Sequence, residues 1–367
     1  MDKTLKDLVS LAETGRLRVS PDALRGLPPL SDSERPDWDR VEGMLLGLAI
    51  GDALGNTTEG RLPHVRRNEH GEIRDYLPNR RADGRAVGVP SDDTQLAFGL
   101  LEVLLSGEGL DPSALLEHLS TIPITGIGGT VRSALNAWRE GSAWPEAGQP
   151  SAGNGALMRI APVLLPHLRA EGTGLWRDTI VAAAVTHNDP LAIGTAVAFV
   201  DLLHTLLRLE GPPEPSWFLD RWTEVVRPFE PEIAYAPRGA AAVQAPTWRA
   251  AQVDVRRALD GGLPTLAALN RWHSGAYLLE TVPCVLLLLA RYADDPQEAV
   301  VRAVNDTKDN DTIGAIVGAA MGALYGTKAW PKRWVQDLTG RLAGEDDGAV
   351  QRNIAKAKAR FGGHESS

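Results

Sequence analysis

The chain has a single cysteine, Cys284, in 367 residues. No intrachain disulfide is available, a thiolate-built metal site is excluded, and the count fits a reducing compartment. Basic residues are also in deficit: 38 lysines and arginines face 47 acids, for a formal net charge of −9. A phosphate-tracking surface normally shows as a basic excess or stripe, so nucleic acid is expected only as a modified substrate. Long apolar runs are missing, since "CVLLLLA" falls well short of the roughly 20 residues that a membrane-crossing helix needs. No membrane partner is expected. The opening "MDKTLKDLVSLAETG" is charged and amphipathic rather than basic and then apolar, which does not read as a secretory signal, and a cytoplasmic protein is expected. Strand-like alternation is almost absent.

What is present is helical periodicity, in segments near 41–55, 94–106, 112–119, 129–139, 175–186, 190–209, 248–259, 263–271, 276–291, 296–304 and 312–326. The expected fold is all-α, a compact multi-helix orthogonal bundle. Residues 1–37, ending in "GLPPLSDSERPDW", read as an N-terminal helix and proline-containing linker wrapped on the outside, and residues 38–362 as one domain. Two helices share a device: glycines at 43, 47, 51 and 55, and again at 314, 318, 322 and 326. Four-residue spacing puts each set on one helix face, where it permits close backbone approach.

Acids gather at two helix starts. "PSDDTQLAFGLLEVLL" places Ser91, Asp92, Asp93 and Thr94 after Pro90, and "TKDNDTIGAIVG" places Asp309, Asp311 and Thr312 at the second glycine helix. Capping by Ser91 and a favourable macrodipole explain the first cluster equally well when it is taken alone. The repeat changes the balance, because Asp52 and Glu59 end the first glycine helix, and close packing of the two helices would bring all of these acids to one pole. Carboxylates so gathered require raised pKa values or a bound cation. All-oxygen ligands suit Mg²⁺ or Mn²⁺ better than zinc, with Ca²⁺ an alternative. "DNDT" resembles the start of an EF-hand loop, but the glycine and terminal glutamate are missing and a helix begins at once.

In order along the chain, "GLAIGDALGNTTEG", "SDDTQLAFGLLEVL", "TGIGGTVRSAL", "SAGNGALMRIAPV", "THNDPLAIGTAVAF", "SGAYLLETVPCVL" and "VNDTKDNDTIGAIVGAAMGALYG" resemble the motifs of the ADP-ribosylglycohydrolase family, from about 41 to 326. The resemblance implies an all-α bundle with two Mg²⁺ or Mn²⁺ ions that hydrolyses the glycosidic bond between ADP-ribose and an acceptor. The acceptor is a protein or a small molecule, and ADP-ribose is the product. It also implies Ser91, Asp92, Asp93, Asp309, Asp311, Thr312 and Glu59 as metal ligands, with Glu59, Asp92 and Asp311 taking part in the chemistry. Gly126, Gly128, Gly129, Ser151, Gly153, Asn154 and His187 match substrate-cleft positions.

Free backbone N–H groups where "TGIGGT" enters a helix suit a diphosphate, although an ordinary turn and cap would look the same. A lone histidine such as His187 is commonly structural. Arg66, Arg67, Arg80, Arg81 and Arg85 lie in one long polar stretch that reads as a solvated face, with a lid as the alternative. The chain departs from the family pattern "GGDTDT", with Thr307 and Lys308 in place of the glycine pair and Asn310 in place of the intervening threonine. Substrate range is the property this puts in question. Rival classes are a catalytically silent ADP-ribose-binding or structural relative, which should have lost ligands, and a di-metal nucleotide phosphohydrolase.

Overall fold

The computed structural model describes residues 3–31, 34–107, 109–169, 171–230 and 246–363; residues 32 and 33 of the expected linker fall outside these. The fold is all-α, as its periodicity predicts. Among the described residues the only paired strands are Leu30–Ser31 and Glu171–Gly172, two residues each.

At the centre lie the two glycine helices, Trp38–Gly55 and Asn310–Tyr325, which pack against each other more extensively than any other pair of elements. They run antiparallel, as their glycine partners show: a Cβ added to Gly51 would overlap the Gly314 carbonyl, one on Gly47 that of Gly318, and one on Gly43 the backbone of Gly326. The reverse holds too, since a Cβ on Gly314 would lie 2.8 Å from the Gly51 oxygen. Glycine costs each helix about 1 kcal/mol per position relative to alanine. Contact of backbone with backbone is what that cost makes possible. From Gly43 to Gly55 and from Asn310 to Leu324 every residue is buried, so both helices are enclosed on all sides.

The helices around this pair include Asp92–Ser106, Pro190–Leu206, Leu278–Arg291 and Pro296–Asp306, and three helices of the bundle start in the same way. At Asp111–Pro112, Asp189–Pro190 and Asp295–Pro296 the proline occupies the first turn, where its missing N–H is not needed, and the aspartate side chain accepts a backbone N–H.

Three of the longer helices lie outside the expected segments. The Pro215–Val226 helix begins inside the run "GPPEPSW", with Pro215 in its first turn. A further helix, Ala349–Phe361, lies beyond the last expected segment and buries Val350, Ile354 and Ala357 on one side. The long arginine stretch also contains a helix, Pro63–His70. The N-terminal segment is more than an outer wrapping, because Leu5, Leu8, Val9, Leu17 and Leu24 are buried in the same core as the glycine helices.

Candidate active site

Antiparallel packing brings the C-terminal end of the first glycine helix and the N-terminal end of the second to one pole, where the Asp92–Ser106 helix also begins. Asp52 organises this pole. It is fully buried and accepts hydrogen bonds from the Ser91 N–H (2.8 Å) and hydroxyl (2.5 Å), the Thr94 N–H (3.2 Å) and hydroxyl (2.5 Å), and the Asn56 amide (2.9 Å). The Ser91 hydroxyl therefore does not cap its helix. It is turned onto Asp52 and ties the second acidic segment to the first.

Two groups of carboxylates result. One oxygen each from Asp52, Asp93 and Asp311 lie within 4.8 Å of one another, and so do oxygens of Glu59, Asp309 and Asp311. Asp311 belongs to both. Glu59, Asp92, Asp93, Asp309, Asp311 and Thr312 border one cleft, whereas Ser91 stands behind it. Asp93 is buried, and its Oδ1 has no hydrogen-bond partner among the described residues. Burial and the neighbouring Asp311 hold its pKa well above the usual carboxylate range, and burial with Glu59 does the same to Asp311. Asp92 is pushed up to about 7 by burial, Asp52 and Glu59. Glu59 is exposed at the mouth, but its pKa is also raised, by burial of its carboxylate and by Asp52. An unpartnered buried carboxylate oxygen and several acids that resist ionisation together are what an oxygen-ligated divalent cation would resolve.

The acids are held from behind. Arg66, expected on a solvated face, is completely buried. Its guanidinium donates to the Thr58 hydroxyl (2.9 Å) and to the carbonyls of Thr58 (3.3 Å), Arg61 (3.0 Å), Asn305 (3.1 Å) and Thr307 (2.7 Å). One side chain thus clamps the loop bearing Glu59 to the loop bearing Asp309 and Asp311. Burial lowers its pKa to about 10, opposed by the charges of Asp311 and Asp306. Arg81 is half-buried and binds the Pro90 carbonyl (2.8 Å), while Arg67, Arg80 and Arg85 are exposed as expected. The residues that depart from the family pattern are built in. Asn310 donates to the Gly55 carbonyl (3.0 Å) and Thr307 to that of Ala303 (2.6 Å). The Lys308 ammonium lies 3.3 Å from His273 Nε2.

Gly126, Gly128 and Gly129 line the opposite wall, where the Gly129–Arg139 helix begins. Gly126 has φ +85 and lies against Asp92, while a Cβ on Gly128 or Gly129 would meet open space. Gln95 fixes this loop by accepting the Thr125 N–H (2.7 Å). Gly153 and Asn154 line the cleft, but Ser151 does not; its hydroxyl pairs with Thr130 (3.0 Å) and accepts the Gly153 N–H (3.3 Å). Asn154 donates to Asp309 (2.6 Å) and Thr281 (3.0 Å), so it aims a carboxylate as well as lining the wall. His187 borders the cleft while almost wholly buried, and burial and Arg159 lower its pKa to about 3. Thr186 Oγ1 accepts from Arg159 (2.6 Å) and lies 2.9 Å from His187 Nδ1. Burial keeps the ring neutral, so one of its two nitrogens carries a proton and the other accepts.

Sequence reasoning placed Asp52 near the site without giving it a role, and missed Arg66. The signal for Asp52 was available: a lone acid inside a helix that is apolar on all sides needs polar partners.

The ADP-ribosylglycohydrolase family profile matches residues 32–361, and the chain belongs to that family. It is 32% identical over 213 residues to the ADP-ribosylarginine hydrolase Tri1 of Pseudomonas putida, covering 50% of this chain and 55% of that protein. It is 30% identical over 184 residues to the ADP-ribosyl-[dinitrogen reductase] glycohydrolase of Rhodospirillum rubrum, covering 47% of this chain and 60% of that one. The matches thus span little more than half the length of these two relatives. A solved structure described as an ADP-ribosylglycohydrolase-related protein complex superposes with a TM-score of 0.63 at 29% identity, over 88% of this chain and 97% of the other. Membership supports cleavage of ADP-ribose from an acceptor. No described helix is long and apolar enough to cross a membrane.

Proposed function

We propose that the chain is a metal-dependent hydrolase that cleaves the glycosidic bond between ADP-ribose and an acceptor, using two Mg²⁺ or Mn²⁺ ions. The observation that carries the reading is the pair of carboxylate triads sharing Asp311, with the unpartnered Asp93 oxygen, in a cleft that the start of the Gly129–Arg139 helix also lines. Asp52, Asp93 and Asp311 would hold one ion and Glu59, Asp309 and Asp311 the other, with Asp92 and Thr312 completing the sets, while Ser91, turned onto Asp52 behind the cleft, would position that carboxylate instead of ligating. Bound there, divalent ions supply positive charge to fix ribose hydroxyls and to acidify a water.

The chain's own residues do the remainder. Gly126, Gly128 and Gly129 present backbone N–H groups to the diphosphate, remote from the bond that breaks. Asn154 keeps Asp309 aimed, and neutral His187 presents its ring to the ligand. Glu59, at the mouth with a raised pKa, takes the proton from the attacking water, and nearby Asp92 and Asp311 stabilise the cation-like sugar as the acceptor departs. The name of the Pseudomonas putida relative makes ADP-ribosylarginine the first linkage to assay, ahead of serine, nucleobase and metabolite linkages.

A panel of such substrates, incubated with Mg²⁺, Mn²⁺ or chelator and read by mass spectrometry, tests the proposal. Intact ADP-ribose formed only with metal is the expected result. AMP plus ribose phosphate would show a phosphohydrolase, and absence of turnover on every linkage would leave a binding protein.

A further inference from the structure

Residues 1–31 lie outside the span that the family profile matches, yet Leu5, Leu8, Val9, Leu17 and Leu24 among them are buried in the core. Between the helices Lys3–Glu13 and Pro21–Arg25 the chain passes over the turn that joins Gly174–Ala184 to Pro190–Leu206. There a single side chain, Asn188, engages it at both ends of its amide. Asn188 Oδ1 accepts the Arg18 N–H at 2.8 Å, and Nδ2 donates to the Arg16 carbonyl at 2.7 Å. The same Nδ2 reaches the Pro145 carbonyl at 3.0 Å. Asn188 is 2% exposed, so these partners are not replaceable by water.

The neighbours of Asn188 connect this clamp to the cleft. His187 precedes it, and the Gln149 N–H donates to the Thr186 carbonyl at 2.9 Å, pairing the loop that leads to Gly153 and Asn154 with the same turn. Gly148 permits that pairing, because a Cβ there would overlap the Ala184 carbonyl and lie 2.9 Å from Asn188 Cβ. Arg16 also forms an ion pair with Glu146 at 2.5 Å, but both side chains are half exposed and the pair contributes little. The buried amide clamp is the stronger tie.

We propose that the N-terminal segment 14–20 is a positioning element of the cleft: through Asn188 it fixes the turn bearing His187 and the 145–155 loop, and so sets the affinity for the ligand. That the ligand is an ADP-ribosyl group rests on the function proposed above. Asn188 touches no ligand. It acts through His187 and the loop.

The test uses the full chain with Mg²⁺ present and compares Asn188→Ala with Leu24→Ala. Leu24 is a buried residue of the same N-terminal segment that makes no bond to the turn, so its loss loosens the segment's packing without cutting the clamp. The first readout is the titration of the His187 imidazole by NMR with labelled histidine, identified by the signal lost in His187→Gln. In Asn188→Ala the His187 pKa should rise toward the ordinary value as the turn opens, and ADP-ribose binding should weaken by about tenfold with kcat within about twofold. Leu24→Ala should lower Tm but leave both unchanged. The proposal is overturned if Asn188→Ala leaves His187 titrating as in wild type, or if Leu24→Ala shifts it equally. A wild-type protein that binds no ADP-ribose would refute the ligand, and the imidazole readout would still decide the positioning role.

Discussion

Glu59 is the exposed member of an otherwise buried set of acids, and position, more than acidity, suits it to exchange a proton with an incoming water. Glu59→Gln should lower kcat by about a hundredfold or more, the loss expected of a general base, and leave ADP-ribose binding in place. Near wild-type turnover in that variant would move the role to an aspartate. Arg66 supports a sharper contrast. Arg66→Met removes the guanidinium from the buried carbonyls of Thr58, Asn305 and Thr307 and the half-buried one of Arg61, and should cost on the order of 3 kcal/mol or more, measured by denaturant unfolding, whereas Arg67→Met, one residue away and exposed, should cost under about 0.5 kcal/mol. Equal effects would mean that Arg66 is an ordinary surface residue. The difference between these neighbours was not legible in the sequence, where both belong to one polar stretch. Burial of Arg66 depends on where the Pro63–His70 helix lands against residues 305–307, and that is decided by contacts from the far end of the chain. The acids of the cleft were legible because each sits at a helix start or end with a reason to be questioned there.

At the scale of elements, the two glycine helices were readable in full, since a four-residue glycine period has few other physical uses. What periodicity could not supply was their antiparallel register, in which 51 meets 314 and 47 meets 318. That register makes a prediction. Gly318→Ala drives a methyl group into the Gly47 carbonyl, so overpacking should cost about 1–3 kcal/mol and lower Tm by about 1–4 °C. Divalent-metal affinity should fall with it, because the helices can separate only by spreading Asp52 from Asp311. Gly211→Ala, where a Cβ meets nothing, is the control and should be neutral. A neutral Gly318→Ala would show that the helices have slack the structure does not record. The helices that escaped sequence reasoning, Pro215–Val226 and Ala349–Phe361, did so because one begins in a proline cluster and the other carries a sparse apolar side.

For the whole molecule, the gathered acids link stability to pH and metal. Asp92 has an ordinary value of 3.8 and a folded value of about 7, and Asp93 and Asp311 lie well above the usual range. A raised folded pKa contributes stability that is present in full below the unfolded value and is lost as pH rises through the folded one. In chelator, this part of the stability therefore declines from about pH 4 through pH 7. Metal reverses the loss but must displace protons to bind, so the Tm gain from Mn²⁺ should be larger at pH 8 than at pH 5.5. Taking the difference with and without metal at each pH cancels other titrating groups, buried His187 among them. An equal gain at both pH values would place the metal elsewhere. The cleft also has a kinetic consequence. Its acids come from residues 52–93 and 309–311, with more than two hundred residues of chain between them. Closing so long a loop is slow and comes late in folding, and no nascent chain can complete the carboxylate set until Asp311 is made. Hydrolytic activity should accordingly appear after most of the helical signal during refolding, which makes turnover a reporter of the final docking of the two glycine helices.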